Sequence, residues 1–476
     1  MMASVATVSF EIDTEITPAY FDDLLTFFYQ QYIVPRAERF ANVNRTVIDD
    51  EPVLSFAVLG PPERGHIDVE IRARRPINVR IVPSDPMSPQ AAIDQLKEDV
   101  VIGVKLYEER IRRTTLYFAW VVGAEVIPEK PPQGERNIIY RLFSESMLLF
   151  FIIFTAVSIF LFIILGPYAP IALVAFQFAM VLFSDKIFAR MGDWSVTESD
   201  KNVHLFEYHM SVEEFRDFRK RFPKDALLKI KKAIYERTFA IGKPMDCASV
   251  QEVLSAYGFE CRPGNMLVKT VNVYDIVKRA SETFGLPIPK IVISNTILPN
   301  AAASGPSPSH GVVLITTGLL VQLEEDEVYN VVGHEFSHLR GRDPLALFGL
   351  TAAEYLLRVY VLWPFLYLFG FLYLFFALGV VYFIAKFFES RADLDAAIKM
   401  GEPKVLAGAL RKIGYRRLQF ERMPAYKIQE WIGWDPHPPI YFRVARLEKL
   451  ESPEKIRSPL LRSIGDNIRG FFAALH

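Results

Sequence analysis

Apolar positions change their spacing several times along the chain, and each change predicts a different kind of structure. Near the start, Ala6, Val8, Phe10 and Ile12 alternate with polar or small residues, the pattern of a half-buried strand. A helix is expected over residues 18–34, followed by strand-like runs at 53–59, 66–74 and 77–82. Ile93, Leu96, Val100, Val104 and Tyr107 then form a helical stripe. Residues 1–140 therefore read as a soluble α+β domain. From Met147 to Leu165 periodicity gives way to an uninterrupted apolar run, long enough to span a bilayer. Gly-Pro-Tyr-Ala-Pro (166–170) breaks it, and residues 171–183 are apolar again apart from Gln177. A second block covers residues 345–388; it carries Glu354 and Arg358 early and is uncharged over 359–385.

The first block predicts a helical hairpin with a Pro-rich tip. The tip has no Lys or Arg, whereas Arg136 and Arg141 precede the block and Lys186 and Arg190 follow it. By the positive-inside rule, both flanks face the cytoplasm. Between the blocks the chain is soluble, with charged helices expected at 226–240 and 274–284. Leu460, Leu461, Ile464, Ile468 and Phe471 outline an amphipathic helix at the end.

Charge changes the picture by exclusion. The 54 basic and 55 acidic residues leave a net charge of -1, which offers no electrostatic footprint for nucleic acid. The two cysteines, Cys247 and Cys261, are too few for a disulfide framework, and a reducing, cytoplasm-facing environment fits them. The opening residues lack a basic stretch followed by an apolar one, so no cleavable signal peptide is expected. His66 stands alone in residues 1–140 and reads as structural.

The chemistry lies at His334-Glu-Phe-Ser-His338. Residues four apart on a helix are about 40° apart around its axis, so both imidazoles share a face and can hold one Zn²⁺. Glu335 beside them can act as the base toward water. A catalytic zinc keeps one position open and needs a third protein ligand. Glu389 supplies a His₂Glu set, and Asp393, one turn later, can support a ligand imidazole through a hydrogen bond. His338 and Glu389 flank the second apolar block. They can share a metal only if that block crosses the membrane an even number of times, which makes it a second hairpin. Glu354 and Arg358 at i,i+4 then pair within or near the membrane.

With these residues in place the sequence resembles the HtpX-like membrane metallopeptidases, relatives of the CaaX prenyl proteases in the gluzincin group. The collinear matches are Phe-Ser-Asp-Lys (183–186), Gly-Leu-Pro-Ile-Pro-Lys-Ile (285–291), Leu-Pro-Asn-Ala-Ala-Ala (298–303) and Leu-Ile-Thr-Thr-Gly-Leu-Leu (314–320). His-Glu-Phe-Ser-His, Glu-Ser-Arg-Ala-Asp (389–393) and His-Pro-Pro-Ile-Tyr-Phe-Arg (437–443) complete the set. Residues 1–140 and an enlargement over 195–265 have no recognised counterpart. The resemblance implies that Asn300 and Ala301 belong to an edge strand pairing with an extended peptide. It also implies that His437, and less directly Arg443, stabilise the oxyanion. His204, His209, His310 and His476 match nothing.

The expected organisation is an α+β membrane protein with four transmembrane helices in two hairpins. It has an N-terminal domain (1–140), a first hairpin (145–184), a first protease segment (185–344), a second hairpin (345–388) and a second protease segment (389–476). The expected activity is that of a zinc endopeptidase with one Zn²⁺ per chain. It would cleave misfolded or unfolded membrane proteins at the cytoplasmic membrane surface, in quality control and stress response. A CaaX-type prenylated-peptide protease and a catalytically silent membrane scaffold are the alternatives. Polypeptides and the lipid bilayer are the expected partners.

Overall fold

The computed structural model describes residues 7–60, 65–85, 89–126, 147–223, 225–421, 423–433 and 435–475. Ala6, Arg136 and Arg141, used in the sequence reading, lie outside them. The chain divides into two compact units, each interrupted in sequence. Element labels below run in chain order.

The first unit comprises Met1–Val122, Val203–Val271 and Val321–Glu324. Its larger sheet contains β1 (Val8–Ile12), β2 (Phe40–Ile48), β3 (Glu51–Leu59), β4 (His66–Arg72) and β5 (Ile77–Pro83), in the order β1-β5-β4-β3-β2. Every pair in it is antiparallel. The alternation that predicts β1 is real: Ile12 is buried, Val8 and Phe10 are half-buried, and Ser9 and Glu11 are exposed. Strand β2 is missing from the sequence reading because Asn42, Asn44, Arg45 and Thr46 leave it without an apolar face; it is a largely exposed edge. Helices α1 (Phe21–Phe28) and α2 (Gln90–Arg112) supply Leu24, Phe28, Val100 and Val104 to a core shared with Ile71 and Val79.

The second sheet joins β6 (Thr115–Val121) to β8 (Asn202–His209), antiparallel from Thr115↔His209 to Val121↔Val203, with β9 (Met266–Asn272) on the far side of β8. This pairing draws residues 203–271 onto the N-terminal residues. The boundary placed at 140 lies outside the described residues, and most of the 195–265 enlargement belongs with the first unit. A buried ionic cluster underlies the pairing. Thr14 donates to Glu108 at 2.7 Å, Lys105 donates to Glu108 at 2.8 Å, and Arg112 pairs with Glu15. Burial, reinforced by the Glu15 charge, pushes the Glu207 carboxyl well above its ordinary range. Helices α6 (Val212–Arg221), α7 (Ala226–Arg237) and α8 (Cys247–Ser255) complete the unit. Cys247 and Cys261 are joined as a disulfide across the turn after α8, their Cα atoms 5.5 Å apart. Two cysteines, too few for a disulfide framework, give no hint of this pairing; the turn brings together residues 14 apart in sequence, which composition does not show.

The second unit comprises Gly123–Asn202, Asn272–Leu320 and Glu325–His476. Helix α3 (Met147–Leu165) ends at Gly166, whose φ of 54° breaks the helix; one 3-10 turn (Gly166–Tyr168) leads into α4 (Ala169–Leu182) and then α5 (Ser184–Met191). A four-stranded sheet contains β7 (Trp194–Val196), β10 (Lys290–Ser294), β11 (Ala301–Ser304) and β12 (Val312–Thr316), in the order β11-β12-β10-β7. Strands β10 and β12 are parallel, and β11 is an antiparallel edge strand. Around it lie α9 (Val273–Phe284), α10 (Thr317–Gln322) and α11 (Glu325–Gly341).

Helix α12 (Asp343–Leu357) and a π turn (Arg358–Leu362) carry the chain along α4. Phe178 and Phe348 stack at 5.6 Å, and the Tyr360 hydroxyl donates to the Pro167 carbonyl. Helix α13 (Trp363–Met400) then brings the chain back. Glu354 and Arg358 pair at 2.9 Å, as their spacing predicts. Five helices follow: α14 (Pro403–Ile413), α15 (Tyr415–Glu421), α16 (Pro424–Ile432), α17 (Ile440–Glu448) and α18 (Pro459–Leu475). Among the described residues, two helical stretches are long and apolar enough to cross a membrane, Ala156–Leu182 and Asp343–Leu362. The expected count was four. The arms of the first block are linked by a single 3-10 turn and form one of these two stretches.

Candidate metal centre

Helix α11 carries His334 and His338 on one face, and α13 brings Glu389 opposite them. The two Nε2 atoms are 3.2 Å apart, and Glu389 places Oε2 3.3 Å from His334 Nε2 and Oε1 3.4 Å from His338 Nε2. Ligands bound tetrahedrally at 2.0–2.1 Å are separated by about 3.3 Å, so these three side chains already have the spacing of a zinc site. Glu389 Oε2 is buried with no hydrogen-bond donor, as a metal ligand would be.

Each imidazole is held from behind. His338 Nδ1 is 2.7 Å from Asp343 Oδ2, and Arg391 donates to the same oxygen at 2.6 Å. His334 Nδ1 lies 3.0 Å from Asp393 Oδ1, and Arg443 grips Asp393 with two hydrogen bonds of 2.9 and 2.7 Å. At His338 the carboxylate on Nδ1 fixes the tautomer that turns the Nε2 lone pair toward the metal, and at His334 the Asp393 charge lies close behind the ring. A Cβ at Gly341 would meet the Arg391 guanidinium and force it to shift.

Burial opposes charge on His334, yet Asp393 and Glu389 carry its pKa up to about 10. Burial would raise the Glu389 and Asp393 carboxyls. His437 and the ligand imidazoles instead hold Glu389 well below the usual range, and Arg443 does the same for Asp393. The pocket thus keeps its carboxylates ionised, which suits a divalent cation.

Glu335 points into the same space. Burial raises its pKa, and its Oε2 accepts the Ala303 amide at 2.7 Å. That bond orients β11: Ala303 turns its N–H away from β12, so Ala301, two residues earlier, presents its backbone to the same open edge. Asn300 faces the other way, exchanging hydrogen bonds with Thr316 at 2.9 and 3.0 Å. His437 is held through Nδ1 by Asp435 at 2.9 Å and aims Nε2 at the centre, 3.6 Å from Glu389 Oε2. His334, Glu335, His338, Glu389, Asp393 and His437 therefore converge beside β11, whereas Asn300 faces β12 and Arg443 is engaged with Asp393 and stands 4.0 Å from Glu389. Sequence reasoning missed Asp343, Arg391 and Asp435. Of the unmatched histidines, His209 is buried between Thr115 and the Glu15 carbonyl in the first unit, and His204 meets Thr270 there.

A strand edge able to take up an extended chain, beside a ready-spaced metal cradle and a buried carboxyl, is the arrangement of a metallopeptidase. Comparison with known proteins agrees. The model of peptidase family M48 matches residues 268–451. A protease HtpX homolog of Thermodesulfovibrio yellowstonii is 31% identical over 213 residues, covering 37% of this chain and 74% of the relative. Another, from Acidiphilium cryptum, is 32% identical over 234 residues, covering 42% and 80%. Among solved structures, S. mikatae Ste24p aligns with 66% of this chain and 86% of its own at 12% identity and a TM-score of 0.29. The chain belongs to the HtpX-like membrane zinc metallopeptidases of family M48.

Proposed function

We propose that this protein is a zinc-dependent endopeptidase. It cleaves unfolded or misfolded membrane proteins where they emerge at the cytoplasmic membrane surface, a quality-control activity. The observation that carries the reading is the 3.2–3.4 Å convergence of His334, His338 and Glu389 beside the open edge of β11. His334, His338 and Glu389 would hold the ion. When bound, zinc acts as a Lewis acid and lowers the pKa of coordinated water toward about 7.

The chain's own groups do the rest. An extended substrate pairs with the outward backbone of Ala301, a mode that demands an unfolded segment and little sequence. Glu335 takes a proton from the attacking water and returns it to the leaving amine. His437, protonated on both nitrogens with Nδ1–H donating to Asp435, donates from Nε2 to the carbonyl oxygen as it gains charge. Arg443 acts through Asp393, positioning His334.

The reading places residues 145–184 and 345–388 in the bilayer as two hairpins, with four spans in all. Helices α12 and α13 support the second hairpin, because Asp343 beside His338 and Glu389 at the far end of the excursion meet at one centre. The test is zinc content and casein cleavage in detergent for wild type and Glu335→Ala. One zinc per chain in both, with cleavage by wild type alone, supports the assignment. Zinc in both with no cleavage by either overturns the broad endopeptidase reading.

A further inference from the structure

Helix α18 is inverted relative to an ordinary surface helix. At 100° per residue, Leu461, Ile468, Phe472 and Leu475 fall within a wedge of about 60°. That wedge faces away from the protein, with Leu461 69% and Phe472 57% exposed. The face turned inward carries Ser463 and Asn467, both fully buried. Arg446 donates to Ser463 Oγ at 2.7 Å, and the Asn467 amide donates to the Ser463 carbonyl at 2.7 Å. A helix that buries its hydroxyl and amide while presenting four large apolar side chains is stable only against an apolar surrounding.

Its neighbour shows what that surrounding is. Helix α18 runs antiparallel along α13. Near the metal centre, Arg446 links Ser463 to the Ser390 carbonyl; at the other end, the Phe471 ring meets Phe383 at 5.7 Å. The twelve steps from Ser463 to Leu475 rise about 18 Å. The last two turns therefore lie beside the end of α13's uncharged stretch, residues 359–385, where Phe375, Phe376 and Val380 are themselves exposed. Arg462 and Arg469 sit about 60–80° beyond the Phe472 edge of the apolar wedge, on its flank, paired with Asp466 at 3.2 and 2.7 Å respectively. Basic residues at the border of an apolar stripe are the layout of a helix seated in a membrane interface.

We infer that α18 is a membrane-seated helix: its Leu461–Ile468–Phe472–Leu475 stripe enters the lipid beside α13 and continues the protein's lipid-facing surface. The occupant of the stripe is the bilayer. The inference rests on α13 spanning the membrane, and the experiment separates the two claims. Spin labels are placed singly through Phe472→Cys, Leu475→Cys, Phe376→Cys on α13 and Ile241→Cys in the first unit, in protein reconstituted into phosphatidylcholine–phosphatidylglycerol vesicles. Wild type taken through the same labelling fixes the background from Cys247 and Cys261.

Collisions with oxygen should exceed those with a water-soluble nickel complex several-fold at 472, 475 and 376, with the reverse at 241. A lipid-like result at 376 with water-like results at 472 and 475 overturns the inference and leaves the membrane reading of α13 standing. A water-like result at 376 overturns that reading itself. Spin–spin broadening at 472 that disappears on dilution with unlabelled protein shows a second copy on the stripe, and also overturns the inference.

Discussion

Asp343 Oδ2 lies 2.7 Å from His338 Nδ1, although five residues separate them and a continuous helix would put them about 140° apart. The contact exists because Arg342 adopts a left-handed conformation, φ 51°, which ends α11 and turns the next residue back onto the helix just completed. Asp343→Ala should weaken zinc retention about 10- to 100-fold, measured by competition with a chromogenic chelator. Gly341→Ala, which displaces Arg391, should move the same reading in the same direction and less far. Retention unchanged in both would show that His338 needs no such support.

The outward amide of Ala301 makes Ala301→Pro a selective probe. Proline is tolerated on a strand edge whose N–H leaves the sheet, so thermal stability and zinc content should hold. One substrate hydrogen bond disappears, worth about 1–1.5 kcal/mol, so kcat/KM for an unfolded substrate should fall about tenfold. An unaltered kcat/KM would move the peptide off this edge.

Burial pushes the His209 pKa down to about 4. Below pH 6.5 the unfolded chain protonates this imidazole while the folded one does not, so stability is lost as pH falls from 6.5 toward 4. The full window is worth about 3 kcal/mol. Wild type should therefore lose melting temperature relative to His209→Gln between pH 7.5 and pH 5, with Glu15, Glu108 and Glu207 common to both proteins. A pH-independent gap would contradict the assignment.

The Cys247–Cys261 pair reports on orientation. Disulfides persist in oxidising compartments and are reduced in a mesophile's cytosol. If residues 203–271 and the metal centre face the cytoplasm, acid-quenched cells should yield both thiols free, and a cysteine at the exposed Glu325 should label only after the membrane is opened. A bridged pair together with labelling of sealed cells would place both on the opposite side.

The candidate metal ligands were legible because helical spacing puts His334 and His338 on one face, and because Glu389 opens a Glu-x-x-x-Asp turn directly after the second apolar block. Asp343 was not, since a helical grid assigns it the wrong face and nothing in Leu-Arg-Gly-Arg-Asp announces a left-handed arginine. Strand β2 escaped because both its faces are polar. The pairing of β6 with β8 escaped for a different reason: its partners, from Val121↔Val203 to Thr115↔His209, lie about ninety residues apart, and local periodicity carries no information at that range.

The ligands also become available in a fixed order. His334 and His338 are synthesised before Glu389, which follows His338 by 389 − 338 = 51 residues and arrives only after α12 and α13 have been made. Until α13 folds back along its path, the histidines have no third ligand and Glu335 has nothing to work beside. On the proposed assignment, proteolytic competence is a late event in biogenesis, reached only after the second apolar excursion and the residues through Arg443 have been made. A chain halted partway would be inert.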